Sequence, residues 1–66
     1  MMDMTFYVYK GWDRENPLVI IGSNVSKHRF TQEINSLSKQ HGELTVRNSL
    51  GGLFAVVTKD GKIENA

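Results

Sequence analysis

The sequence predicts an α+β domain built as two layers in the order ββαββ, with one helix packed on a mainly antiparallel sheet of four to five strands. Three observations lead there. Phe30, Ile34 and Leu37 fall at i, i+4 and i+7, the apolar stripe of a single amphipathic helix. Short β-branched and aromatic runs lie on either side of that helix, as strands prefer. The links between the runs are short, which favours antiparallel neighbours. At 66 residues the chain makes one small domain, 1–66.

The first strand is expected from Met4 to Lys10. A loop follows at Gly11-Trp12-Asp13-Arg14-Glu15-Asn16-Pro17, punctuated by Gly, Asp, Asn and Pro. Leu18-Val19-Ile20-Ile21 is the second strand. It is apolar at every position, so it should lie centrally or be covered on both faces. Gly22-Ser23-Asn24 ends it.

The helix should run from Lys27 to Gln40, with Ser26 as N-cap and Val25 and Phe30 spaced as a hydrophobic staple. Glu33 can pair with Arg29 one turn back, Lys39 complements the helix dipole, and Gly42 suits the left-handed residue that ends many helices. Glu43–Asn48 is the third strand, with Leu44 and Val46 alternating against Thr45 and Arg47. After a turn at 48–52, Leu53–Thr58 forms the fourth, with its buried parity open. Lys59-Asp60-Gly61-Lys62 signals a two-residue type I′ hairpin, which would return Ile63 opposite Thr58 as a short edge. The expected core is Phe6, Val8, Val19 or Ile20, Phe30, Ile34, Leu37, Leu44, Val46 and alternate residues of the fourth strand.

Composition narrows the chemistry. The chain has no cysteine, which removes disulfides, thiolate metal sites and cysteine catalysis, and fits a reducing compartment. A domain of this size buries only about 60% of its unfolded surface, so a partner or a second subunit gains appeal as a source of stability. Eight basic and seven acidic residues leave a net charge of +1, too balanced for a nucleic-acid polycation or a DNA mimic. No apolar run reaches the roughly 20 residues of a membrane span. The start, Met1-Met2-Asp3-Met4, lacks the basic and apolar regions of a signal peptide, so the expected location is the cytoplasm. Asn24-Val25-Ser26 matches a glycosylation acceptor, which has no meaning without secretion.

Four of the six aromatic residues fall within Phe6-Tyr7-Val8-Tyr9-Lys10-Gly11-Trp12. Strand side chains alternate between faces, so if Phe6 and Val8 enter the core, Tyr7 and Tyr9 point away from it. With Trp12 they form a candidate contact platform, and Thr45 and Arg47 share the outward parity. The competing reading is that these rings only finish the surface of a small sheet. Lys27, His28 and Arg29 put basic groups at the helix end where the dipole disfavours them, a second candidate contact. The bland alternative there is a solvated first turn.

His28 and His41 lie at opposite helix ends and cannot share a metal, and no carboxylate pair is placed for acid–base work. Gly51-Gly52 lacks the lysine and hydroxyl residue of a phosphate loop and reads as a turn. No cofactor, metal ligand or catalytic residue is assigned.

His41-Gly42-Glu43-Leu44, Gly52-Leu53-Phe54 and Lys59-Asp60-Gly61-Lys62 resemble the C-terminal part of small phage-encoded anti-CRISPR proteins directed against type I-F surveillance complexes. The resemblance covers about a third of the chain, is carried mostly by turn residues, and does not extend to the aromatic first strand. It implies a stoichiometric inhibitor that occludes a host nucleoprotein surface in the host cytoplasm, with no catalytic residues to transfer.

The leading expectation is therefore a non-enzymatic binding protein, a phage or mobile-element inhibitor of a host protein or nucleoprotein complex. Its contact residues would be Tyr7, Tyr9, Trp12, Lys27, His28, Arg29 and Arg47. The alternative is a small nucleic-acid-binding module using the same aromatic and basic groups. A weaker third reading is a ribonuclease-type toxin. A homodimer is a further candidate partner arrangement; a membrane is not.

Overall fold

The computed structural model describes residues 5–22 and 25–66. Five strands and one helix follow in the order β1 (Phe6–Lys10), β2 (Val19–Ile21), α1 (Lys27–His41), β3 (Leu44–Asn48), β4 (Leu53–Val57) and β5 (Ile63–Asn65). The expected start of the first strand at Met4, and Ser23 and Asn24 of the turn before the helix, lie outside the described residues.

All five strands join one sheet in the order β2-β1-β3-β4-β5, every neighbouring pair antiparallel. β2 and β3 both run against β1 from its two sides, so α1 crosses over β1 to connect them. This topology corrects the expectation for the second strand. β2 is an edge, not a central strand, because the helical crossover delivers β3 to the far side of β1. Ile21 faces the core and is buried, while Ile20, opposite Tyr7, is 56% exposed. Both edge strands, β2 and β5, are three residues long. Short edges limit pairing with other chains.

The core lies between the sheet and α1. Val8, Ile21, Leu44, Val46, Ala55 and Val57 meet Ile34 of the helix, with Phe6, Val19, Val25, Phe30, Leu37 and Ile63 packed around them. Ser26 caps the helix, its hydroxyl accepting a bond from the Arg29 N–H at 3.2 Å. Removing a cap of this kind costs about 1 kcal/mol, so Ser26→Ala should lower the unfolding free energy by that much, read as a lower urea midpoint at unchanged slope. The helix ends at Gly42, whose N–H donates to the Ser38 carbonyl at 2.8 Å.

Two turns of one design bracket β4. In each, an N–H and a carbonyl close a three-residue loop: Asn48 N–H to Gly52 O at 2.9 Å, and Thr58 N–H to Lys62 O at 2.9 Å. In each, the first residue's side-chain oxygen also accepts from the fifth residue's N–H, Asn48 at 3.0 Å and Thr58 at 3.1 Å. The fourth residue is a glycine of positive φ, +86° at Gly51 and +90° at Gly61. The second turn corrects the type I′ expectation. A type I′ turn needs positive φ at both central residues, and among the described residues only glycines have it. The three-residue loop asks it of Gly61 alone, and the extra residue brings Ile63 opposite Val57, on the core side, instead of Thr58.

A bulge settles the parity of β4. Val46 pairs with Ala55, but Arg47 pairs with Leu53, which leaves Phe54 without a partner in β3. A bulge sets two residues against one and re-aims a side chain. Here it turns Phe54 toward the helix layer, where its ring lies 4.6 Å from Phe6, itself 5.4 Å from Phe30. Leu53 passes to the opposite face.

Candidate functional site

One helix covers one face of the sheet, and no described element covers the other. Cross-strand pairing builds that open face in two rows. Ile20, Tyr7, Arg47 and Leu53 form the first; Tyr9, Thr45, Val56 and Glu64 form the second. The alternation expected for Tyr7, Tyr9, Thr45 and Arg47 thus holds. Both tyrosines are half-buried by their neighbours, and Thr45 at the middle is fully buried although no second layer lies above it.

Two polar groups on this face lack partners. The Thr45 hydroxyl and the Arg47 Nε are both buried without a hydrogen bond. Arg47 is held from its far end, where one terminal nitrogen donates to the Gly51 carbonyl at 3.0 Å. A buried unpaired polar group of this kind costs about 1–3 kcal/mol. Within these two rows Arg47 is the one cation, and Glu64 is an anion at the β5 edge.

The seven candidate contact residues do not form one surface. Tyr7, Tyr9 and Arg47 come together on the open face. Trp12, 56% exposed, sits in the turn beyond Lys10, where the Gly11 N–H reaches Glu43 O at 2.7 Å, close to the C-terminal end of α1. Lys27, His28 and Arg29 are exposed at the other end of the helix, in the other layer, beside Phe30 and its Phe6 neighbour. Arg29 lines a groove of about 460 Å³ with Ile20, Val25 and Glu33, between the β2 edge and the helix start. Ile20 is the residue that belongs to both the groove and the open face.

Sequence reasoning left out Ile20, Leu53, Val56 and Glu43. Ile20 was hidden in an all-apolar strand, and Leu53 behind a bulge that has no composition signal. Glu43, exposed and two residues before Thr45, could have been found by extending the alternation one step. Among the described residues, no group of three or more His, Cys, Asp or Glu is placed to hold a metal ion, and no helix is long and apolar enough to cross a membrane. Comparisons with protein families, with curated proteins and with solved structures give no match to this chain.

Proposed function

We propose that this chain is a non-catalytic binding protein whose open sheet face, centred on Tyr7, Tyr9, Thr45 and Arg47, docks on a host protein or nucleoprotein complex in the cytoplasm. The observation that carries the reading is the uncovered aromatic and aliphatic face with an unpartnered arginine nitrogen in it. Aromatic rings and arginine supply most hot-spot energy at protein interfaces. The anti-CRISPR resemblance adds the class of target, a type I-F surveillance complex whose nucleic-acid path the protein would occlude. Nucleic acid itself fits the face less well, since its two paired rows hold one cation against one anion, and Lys27 and Arg29 lie in the other layer.

The direct test mixes the purified chain with a purified type I-F surveillance complex. Co-elution in gel filtration and loss of target-DNA binding by the complex are expected. Tyr7→Ala with Tyr9→Ala, its fold confirmed by circular dichroism, should weaken binding roughly 30-fold or more. Absence of a complex at micromolar concentration would remove that target. Binding of naked DNA or RNA with a steep salt slope would replace the reading with the nucleic-acid one.

A further inference from the structure

We infer that the open sheet face is also where two copies of this chain meet, about a two-fold axis that crosses the central strand at Thr45. β3 is the middle strand of five. Thr45 and Arg47 within it and Glu43 just before it occupy every second position, and residues at that spacing share one face. The pairs Tyr9–Thr45 and Tyr7–Arg47 set this parity as outward. The Gly11 N–H to Glu43 O bond, 2.7 Å, carries the β1–β3 ladder one residue past the Lys10–Leu44 pair, so Glu43 keeps the register. The middle of the face therefore sets a carboxylate and a guanidinium in line on either side of the buried Thr45.

That order is complementary to its own reverse. A two-fold axis lying in the face, perpendicular to β3 at Thr45, stacks the two central strands antiparallel. Each Arg47 then lies over the partner's Glu43. An axis along the strand would instead set Arg47 on Arg47, and like charges in register are strongly disfavoured. Packed sheets lie about 10 Å apart and cross at about 30°. Two residues from the axis, that rotation displaces the charges by only about 3.5 Å, within reach of both side chains. The carboxylate would pair with the Arg47 guanidinium, whose Nε is buried and unpartnered in the single chain. Tyr7, Tyr9 and Val56 surround these groups with apolar area.

The face also sets the strength of the dimer. Three strands of five residues and two edges of three, about 4.8 Å apart, offer roughly 340 Å² per copy. A standard interface takes about 800 Å² from each partner. The pair is therefore dissociable, and a host partner can displace the second copy. The inference concerns the chain alone and does not rest on the host target proposed above.

Sedimentation equilibrium of the full chain from micromolar to millimolar concentration tests it. A monomer–dimer equilibrium is expected. Glu43→Arg or Arg47→Glu alone should weaken it by about tenfold or more, and the double swap should restore it. A monomer at every concentration overturns the inference, as does self-association that the double swap fails to recover. Because Arg47 also holds the 48–52 turn, Arg47→Glu could lose the fold. The wild-type chain then decides by NMR dilution. Amide shifts that change with concentration should map to β3 and its open-face neighbours, and shifts confined to α1 overturn the geometry.

Discussion

Ile34→Ala is expected to leave a large fraction of the chain unfolded at 25 °C. Ile34 is the one fully buried apolar side chain of α1, set against the sheet core at 0% exposure. Deleting a buried isoleucine to its β-carbon costs about 2–5 kcal/mol, through lost transfer energy and the cavity left behind. Domains hold about 0.05–0.15 kcal/mol of stability per residue, which for 66 residues is about 3–10 kcal/mol. One substitution therefore removes most of what a small core supplies. Urea titration followed by far-ultraviolet circular dichroism reads the loss. Leu37→Ala, at a half-buried position of the same helix, is the control and should cost clearly less. Equal midpoints for the two variants would mean that Ile34 does not anchor the helix.

The second large effect comes from comparing two glycines in matching turns. Gly51 and Gly61 have nearly the same φ, +86° and +90°, so alanine at either meets the same backbone strain, roughly 1–2 kcal/mol. Their surroundings differ. Nothing lies within 4 Å of a β-carbon built on Gly51, whereas one on Gly61 would sit 2.9 Å from Asn35 Oδ1 and 3.6 Å from Ser38 Oγ. The turn after β4 is pressed onto the helix, and the turn before it is free. Gly61→Ala should therefore cost roughly 2–4 kcal/mol against 1–2 kcal/mol for Gly51→Ala. Adding Asn35→Ala to Gly61→Ala should recover the difference, and a double-mutant cycle with no coupling would contradict the close approach.

Much of the fold was legible because its signals are local. The helical stripe of Phe30, Ile34 and Leu37, the Ser26 cap and the alternation of β1 and β3 each need only a few consecutive residues, and each appears as expected. The misreadings arose where a distant element decides. Whether the all-apolar β2 is central or an edge depends on which side of β1 the helix delivers β3. The Asp60-Gly61 pair favours a tight turn locally, yet the turn that packs on Asn35 and Ser38 has one more residue. The bulge at Phe54 answers a requirement of the Phe6–Phe30 cluster, which no pattern within 53–57 encodes. The candidate site followed the same division. Tyr7, Tyr9 and Arg47 were found by alternation, while Trp12 and the basic helix start were grouped with them by chemistry and are separated by the layers.

The place of β1 in the sheet bears on how the chain finds its structure. β1 and β2 form one hairpin, and β3, β4 and β5 form a meander joined by tight turns. Only the β1–β3 pair joins distant sequence, with partners 34 positions apart at Lys10–Leu44 and 42 apart at Phe6–Asn48. Loop closure over such a span must be met before its contacts reward it, and non-local pairing of this kind slows folding. The two halves can form early and separately. Neither has a complete core until the β1–β3 seam zips, so that seam is the natural rate-limiting event and the point at which the molecule becomes one cooperative unit.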